Sequence, residues 1–143
     1  MSNFLGRFEY QLDDKGRVSL PAAFRRGAED GRFVLLQWEE PYLTLYPEAA
    51  WLQVQERLLQ FRRSQKDGGA HVRRITSSAV EIVPDKQGRI LIPSWLQQAG
   101  GLDGAVLMIG AIDRIEIWNP GIFAGAVPDA SDGFEHFAPQ IFG

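Results

Sequence analysis

Two nearly identical nonapeptides constrain the fold of this chain more than any other feature of its sequence. The first, DDKGRVSLP, covers residues 13–21, and the second, DKQGRILIP, covers residues 85–93. A shift of 72 positions superimposes them, and matching residues continue in the same frame, without a gap, from about residue 9 to residue 46. Internal repetition on this scale indicates two copies of one supersecondary unit. The 143-residue chain is therefore predicted to be a duplicated structure.

Each copy begins with a turn followed by a short strand. The sequence Asp-Lys-Gly-Arg is typical of a turn, because Asp bonds to nearby backbone and Gly adopts positive φ at no steric cost. After the turn, Val18 and Leu20 alternate with Arg17 and Ser19, which is the two-residue period of a strand. Pro21 then ends the strand and suits the first turn of a short helix. The second nonapeptide predicts the same elements.

Each copy ends with two further strands. The continuous apolar runs FVLLQW and AVLMIG predict strands that are buried on both faces, and the ungapped frame aligns Val34 with Val106. After a tight turn, the alternating sequences YLTLY and RIEIW predict the last strand of each copy. A unit of roughly 40 residues cannot build an adequate core alone. We therefore predict one mainly β domain with helices (α+β), in which two pseudo-twofold units interlock their hairpins.

The segment between the two copies has the periodicity of an amphipathic helix. Pro47 and Glu48 suit a helix start. Apolar residues then recur at spacings of three and four, namely Trp51, Val54, Leu58 and Phe61. The sequence Asp-Gly-Gly at residues 67–69 is expected to end this helix, and AHVRRITSS is expected to form a second helical stretch. The copies are therefore joined by a helical connection.

Composition excludes several classes of protein. There is no cysteine, so disulfides and thiolate chemistry are excluded and cytoplasmic residence is expected. No apolar run approaches the roughly 20 residues of a membrane span. The only histidines, His71 and His136, are too far apart in sequence to suggest a metal site. No nucleophile or paired carboxylates stand out either, so we expect no enzyme activity, no cofactor and no small-molecule substrate.

The charge distribution allows only a local basic patch. The net charge of −3 is not that of a typical nucleic-acid binder. No Lys or Arg follows Arg114, however, while the last segment contains Asp129, Asp132 and Glu135. Residues 1–118 are consequently neutral, and any surface that binds a polyanion must be confined to a few side chains.

The repeated turns supply such side chains. The candidate DNA-binding residues are Lys15, Arg17, Lys86 and Arg89. The candidate residues that orient the turns are Asp13, Gly16, Asp85 and Gly88. An arginine on the face opposite the core can bind phosphate or guanine with two hydrogen bonds. The alternative is that each arginine only forms an ion pair with the aspartate of its own turn, and the two interpretations are compatible.

A second basic cluster lies in the helical connection. It consists of Arg62, Arg63, Lys66, Arg73 and Arg74. One interpretation is a second DNA contact. We favour a solvated helical face that can also pair with acidic residues of a neighbouring subunit, because runs of charge on helices are usually exposed to solvent.

The duplicated Asp-x-x-x-Arg turn followed by Leu-Pro or Ile-Pro resembles the MraZ family. The opening FLGRFEYQLDDKGRVSLPAAFR, the LTLYP before the first long helix, and AVEIVPDKQGRILIP extend the resemblance over about residues 4–120. The resemblance implies a duplicated swapped-hairpin AbrB-like β-barrel and a ring oligomer such as an octamer. It also implies a nucleoid-associated transcriptional regulator, expected to be a repressor, of the bacterial division and cell-wall gene cluster, which binds double-stranded DNA.

On this basis we predict four segments along the chain. They are a first AbrB-like repeat at 4–50, a helical connection at 51–78, a second repeat at 79–122 and a weakly ordered tail at 123–143. A ring should display its turns periodically and bind short direct repeats, here in the protein's own promoter. Two alternatives remain open at this point. One is an oligomeric protein-binding scaffold that uses the phenylalanines of the tail, and the other is a general AbrB-like regulator of other genes.

Overall fold

The computed structural model describes residues 3–131 and 133–143 of the chain. The first unit contains β1 (Arg7–Gln11), β2 (Arg17–Ser19), α1 (Ala22–Arg25), β3 (Phe33–Leu36) and β4 (Leu43–Pro47). The connection contains α2 (Glu48–Ser64) and α3 (Gly68–Thr76). The second unit contains β5 (Val80–Ile82), β6 (Arg89–Leu91), α4 (Ser94–Ala99), β7 (Ala105–Gly110) and β8 (Ile115–Trp118). The chain continues with α5 (Pro120–Ser131) and α6 (Phe134–Phe142).

The strands of the two units interlock. A six-stranded antiparallel sheet has the order β1-β7-β8-β4-β3-β5, and β2 pairs with β6 in a separate two-stranded ribbon. The first strand of each unit thus pairs with the third strand of the other unit. If each strand is replaced by its equivalent in the other unit, the same order is read from the opposite edge of the sheet. The predicted α+β class and the pseudo-twofold swapped hairpins are confirmed.

The β-barrel that the resemblance implies is not closed. In the part of the chain that the structure describes, β1 and β5 are the edges of an open sheet, and they do not pair with the ribbon strands. The strands β2 and β6 contain three residues each and bond only to each other. The ribbon therefore covers one face of the sheet without closing it.

The ungapped alignment of the two units is wrong in the third strand. Val34 pairs with Tyr46 in the first hairpin, whereas Leu107 pairs with Trp118 in the second. Tyr46 and Trp118 are equivalent, so Val34 corresponds to Leu107 and not to Val106. Between its nonapeptide and the third strand, the second unit is therefore one residue longer than the first. A one-residue shift exchanges the two faces of a strand, and a run that is apolar at every position does not reveal which face points inward.

The main core lies between the sheet and the ribbon. Val18 and Ile90 of the ribbon are each 1% exposed, and they pack with Leu35 and Met108 of the sheet in one cluster. The alternation in the nonapeptides therefore predicts the inward face of the ribbon correctly. Because both units contribute to this cluster, neither has a complete core without the other.

The helical connection covers the opposite face of the first hairpin. Val34, Leu36 and Tyr46 pack against Trp51 and Val54 of α2. The predicted amphipathic helix is thus present, with its first apolar residues buried against the sheet. The helix ends at Ser64, close to the expected position.

The Asp-Gly-Gly sequence separates the two helices of the connection, and its two glycines are the first residues of α3. The reversal of the chain occurs just before them, where Asp67 adopts a left-handed conformation with φ of 64°. A Cβ atom at Gly68 would lie 2.8 Å from the carbonyl oxygen of Phe61 and 2.9 Å from the Cα of Arg62. Gly68 therefore allows α2 and α3 to come close to each other where the two helices meet.

The segment expected to be weakly ordered contains two helices. At the start of α5, Asn119 Oδ1 accepts a hydrogen bond of 2.8 Å from the backbone N–H of Gly121, as the Asn-Pro sequence suggests. The ring of Phe123 contacts Trp118 edge-on at 5.2 Å between centroids, which anchors α5 to β8. The tail prediction also includes Asp132, which lies outside the described residues. None of the helices in the described part of the chain is both long and apolar enough to cross a bilayer.

Candidate nucleic-acid interface

The ribbon formed by β2 and β6 has an apolar inner face and a polar outer face. Val18 pairs with Ile90, and both are buried in the core. Because successive side chains on a strand alternate, the neighbouring pairs lie on the outer face. Those pairs are Arg17 with Leu91 and Ser19 with Arg89. The two arginines are diagonal neighbours across the ribbon, a relationship in which the residues are typically about 7–8 Å apart.

Asp13 holds the first turn together. Its Oδ1 atom accepts hydrogen bonds from the backbone N–H groups of Lys15, at 2.9 Å, and Arg17, at 2.8 Å. Its Oδ2 atom accepts a third from Arg17 Nε at 2.8 Å. The carboxylate thus fixes both the turn and the orientation of the guanidinium. No acceptor among the described residues bonds to Nη1 or Nη2 of Arg17, whose side chain is 33% exposed.

Asp85 holds the second turn in the same way. It accepts hydrogen bonds from the backbone N–H groups of Gln87 and Arg89, both at 2.9 Å, and from Arg89 Nε at 3.0 Å. The Arg89 side chain is 30% exposed. One difference is that Arg89 Nη2 also donates to Gln87 Oε1 at 2.5 Å. The ion pair that the sequence suggests as an alternative is therefore present in both turns, and it leaves each arginine at the surface.

The two predicted lysines do not occupy equivalent positions. Lys15 lies one residue before the glycine of its turn, and Gln87 takes that place in the second turn. Lys86 corresponds instead to Asp14. Both lysines are exposed, so both can reach a ligand in solvent.

Gly16 and Gly88 are required at the tips of these turns. Their φ angles are 83° and 77°, in the left-handed region that favours glycine. Each glycine also touches the other unit: the carbonyl oxygen of Gly16 accepts a hydrogen bond from Ile92 N, and that of Gly88 from Leu20 N, both at 2.9 Å. The two turns are thereby tied to opposite ends of the same ribbon.

Two residues that sequence reasoning missed lie against these glycines. Gln97 Nε2 donates to the carbonyl of Ile92 at 2.7 Å, next to Gly16. At the equivalent place, Arg25 Nη1 donates to the carbonyl of Leu20 at 2.5 Å, next to Gly88. The available signal was that Arg25 and Gln97 share one position in the repeat. Arg25 adds a cation close to the second turn.

Leu91 was also missed as a site residue. Its side chain is 54% exposed on the outer face of the ribbon, directly opposite Arg17. The alternation of the nonapeptide places it there, but exposed leucines are common on protein surfaces. The outer face of the ribbon therefore presents an exposed apolar side chain next to the two arginines.

The Asp13 carboxyl is expected to titrate well below ordinary aspartates. The hydrogen bond from the Arg17 backbone is the largest cause, and together with the Arg17 side chain and the Lys15 backbone it lowers the pKa from 3.8 to about 2 against an opposing effect of burial. Since the pKa is lowered in the folded state, the ionised carboxylate stabilises the turn above pH 3.8. This contribution is lost as the pH falls through about 2. Carbon-detected NMR titration measures the midpoint.

The Arg17→Ala variant is the informative control for this titration. The substitution keeps the backbone N–H groups of residues 15 and 17, which donate to Asp13, so the pKa of Asp13 should rise but stay below 3.8. The pKa of Asp85 is lowered by the equivalent bonds from Arg89 and Gln87. An Asp13 midpoint near 3.8 in the unaltered chain would contradict the geometry described here.

The second basic cluster is on different elements from the ribbon. Arg62 and Arg63 lie in the last turn of α2, and Arg73 and Arg74 in the last turn of α3. Their side chains are exposed, and no carboxylate within residues 3–131 and 133–143 forms an ion pair with them. Cations in the last turn of a helix also interact favourably with its dipole.

Two interlocked copies of one β unit, with aspartate-held arginines at both ends of a shared ribbon, define a duplicated swapped-hairpin protein. Residues 3–74 and 75–136 each match the family model described as "MraZ protein, putative antitoxin-like". The chain belongs to the MraZ family.

Curated relatives agree with this assignment. The chain is 36% identical over 138 residues to "Transcriptional regulator MraZ" of Desulforamulus reducens, with 96% of each chain covered. It is 34% identical over 138 residues, with the same coverage, to the protein of that name from Pediococcus pentosaceus. It is 38% identical over 117 residues, or 82% of each chain, to that of Thermomicrobium roseum. The chain is therefore a transcriptional regulator of this family and not an enzyme.

Proposed function

We propose that the outer face of the β2–β6 ribbon binds double-stranded DNA. In this proposal Arg17 and Arg89 contact base edges or phosphates, while Lys15 and Lys86 contact flanking phosphates. The observation that supports it best is the pair of arginines, each fixed through Nε by an aspartate and each still at the surface. A guanidinium held in this way has already lost much of the side-chain freedom that binding would otherwise restrict.

The major groove can accommodate a two-stranded ribbon such as that of β2 and β6. That groove is about 12 Å wide and admits a two-stranded β-ribbon. Terminal guanidinium nitrogens can bond to guanine O6 and N7, and Arg17 has both of its terminal nitrogens unoccupied by the described residues. Leu91, exposed beside it, can contact a thymine methyl group. The four cations at the turns then act as phosphate and base ligands on either side.

One protomer offers too few charges to bind tightly. The slope of log K against log salt is about −0.9 per phosphate neutralised, so four cations give a shallow salt dependence and weak binding. Linked protomers raise the effective concentration of each further contact. We therefore propose that the functional form is a ring oligomer, such as an octamer, with its ribbons displayed along one side.

Such a ring is suited to direct repeats. A head-to-tail arrangement repeats the same orientation from one protomer to the next, unlike a twofold dimer that matches a palindrome. The proposed targets are short direct repeats in the promoter of the protein's own gene, within the division and cell-wall gene cluster. Occupying several repeats would obstruct polymerase, so the proposed regulation is repression in the cytoplasm, at the nucleoid.

Binding to promoter DNA tests the proposal directly. Fluorescence anisotropy with the protein's own upstream region should show tighter binding than with the same bases scrambled. The salt slope should exceed that expected for four phosphate contacts, because several protomers bind together. Footprinting should protect evenly spaced segments. Equal affinity for both DNAs, or no protection of the upstream region, would contradict the proposal.

A second candidate function has one observation in its favour. The apolar side chains of α6, including Phe134 and Phe142, are exposed, as expected for a scaffold that binds protein. Such a scaffold would show no preference between promoter and scrambled DNA. A general regulator of other genes would show specific binding but leave its own upstream region unprotected.

A further inference from the structure

An apolar groove lies between the helical hairpin and the sheet. It has a volume of about 400 Å³. Its apolar lining comes from both helices and from the first hairpin, namely Leu36, Tyr46, Val54, Leu58, Phe61 and Ile75. Arg57 and Arg114 also line it, and the Arg114 guanidinium lies 5.1 Å from the centre of the Tyr46 ring. Asp113 pairs with Arg114 at 2.9 Å, so Arg57 is the lining cation without an ion pair among the described residues.

Helix α6 presents the complementary surface. Phe134, Phe137, Ala138 and Ile141 recur at i, i+3, i+4 and i+7, the spacing of one apolar helical stripe. Phe134, Phe137 and Ile141 are 63%, 60% and 76% exposed. The hydrogen bonds and ring contacts of α6 within the described residues involve only residues 133–143. The stripe is thus uncovered in the single chain.

We propose that α6 of one copy docks in this groove of a second copy. Anchors at i, i+3, i+4 and i+7 are the pattern with which amphipathic helices bind apolar grooves. Charge favours the same pairing, because α6 contains Glu135 and no Lys or Arg, while the groove is lined by Arg57, which forms no ion pair among the described residues. The other lining arginine, Arg114, is already paired with Asp113 at 2.9 Å.

The exposed aromatic side chains of α6 can supply part of the area that a stable interface needs. A buried aromatic side chain covers about 150–250 Å², so the three phenylalanines of α6, at their observed exposures, offer on the order of 300–500 Å². A typical stable interface buries about 800 Å² on each partner. The helix thus provides a large share of such an interface, and the surrounding charges supply polar contacts.

This pairing gives a head-to-tail interface. Each copy has one helix to donate and one groove to fill, so a dimer still has one of each available, and further copies add until the arrangement closes. The inference rests on the oligomer that we propose above. It is tested without DNA, so its failure would remove this interface and leave the proposed DNA contacts to be judged separately.

Association of a Phe137→Glu variant is the first test. A charge in the centre of the stripe should lower the affinity between copies at least tenfold, as measured by sedimentation velocity across a concentration series. Gln140→Glu adds the same charge outside the stripe and should associate like the unaltered chain. Circular dichroism of both variants verifies the fold. Unchanged association of Phe137→Glu, or an unaltered chain that is monomeric at every concentration, overturns the proposal.

Charge reversal and cross-linking identify the groove. Glu135→Arg and Arg57→Glu should each weaken association, and mixing the two variants should restore it. Since the chain has no cysteine, a copy with Ile141→Cys can be mixed with a copy with Leu58→Cys and treated with a short bismaleimide. A covalent heterodimer is the expected product. Cross-linking only within one chain that contains both cysteines would place α6 in its own groove and overturn the proposal.

Discussion

The combined substitution of Arg17→Ala and Arg89→Ala is expected to abolish specific DNA binding while leaving the fold intact. A bidentate arginine–base pair contributes about 1–3 kcal/mol, so the loss of two should cost about 2–6 kcal/mol, or at least ~30-fold in affinity for each protomer. The turns should persist, because Asp13 and Asp85 keep their hydrogen bonds to backbone N–H groups. Anisotropy with promoter DNA measures the effect.

A matched control distinguishes the loss of specific arginine–DNA contacts from a general loss of positive charge. Arg62→Ala with Arg63→Ala removes two charges from the exposed end of α2, and it serves as the control once sedimentation velocity shows that the variant is as oligomeric as the unaltered chain. It should change affinity much less, and equally for promoter and scrambled DNA. If the double ribbon variant remains folded and oligomeric yet binds promoter DNA as tightly as the unaltered chain, the contacts assigned to Arg17 and Arg89 are wrong.

The Gly68→Ala substitution should cause a large loss of stability. The added Cβ atom would lie 2.8 Å from the Phe61 carbonyl oxygen and 2.9 Å from the Arg62 Cα, and both are backbone atoms that cannot rotate away. Relieving the overlap requires α3 to move away from α2. Overpacking of this kind costs about 1–3 kcal/mol. Urea unfolding, followed by circular dichroism, gives the change in the free energy of unfolding.

The adjacent glycine provides the control. A Cβ atom at Gly69 would meet no atom within 4 Å. Gly69→Ala should therefore stabilise the protein by up to about 1 kcal/mol, because alanine restricts the unfolded chain more than glycine does. Equal effects at the two positions would show that helix propensity, and not the close approach of α2 and α3, governs this part of the chain.

The ribbon could be predicted from the sequence because its pattern is local. Val18 and Ile90 alternate with polar residues, and alternation specifies which side chains point inward. The third strands lack this pattern, since Phe33, Val34 and Leu35 are all buried. Their register depends on what packs against each face, and sequence alone does not reveal that.

Residues beside the turns were harder to find for a similar reason. Arg25 and Gln97 are ordinary polar residues of short helices, and they become part of the site only because the other unit's glycine lies next to them. In each case contacts between distant segments decide the outcome, whereas local propensity does not.

The substitution of Gln87 for Lys15 at equivalent positions has a consequence for how the protein can be oriented. At one tip, Lys15 is charged and no acceptor among the described residues bonds to either terminal nitrogen of Arg17. At the other tip, Gln87 Oε1 accepts a hydrogen bond from Arg89 Nη2. The two ends of an otherwise symmetric ribbon therefore differ in charge and in hydrogen bonding. In the proposed complex, a non-palindromic stretch of duplex would then favour one orientation of the protein over the reverse orientation.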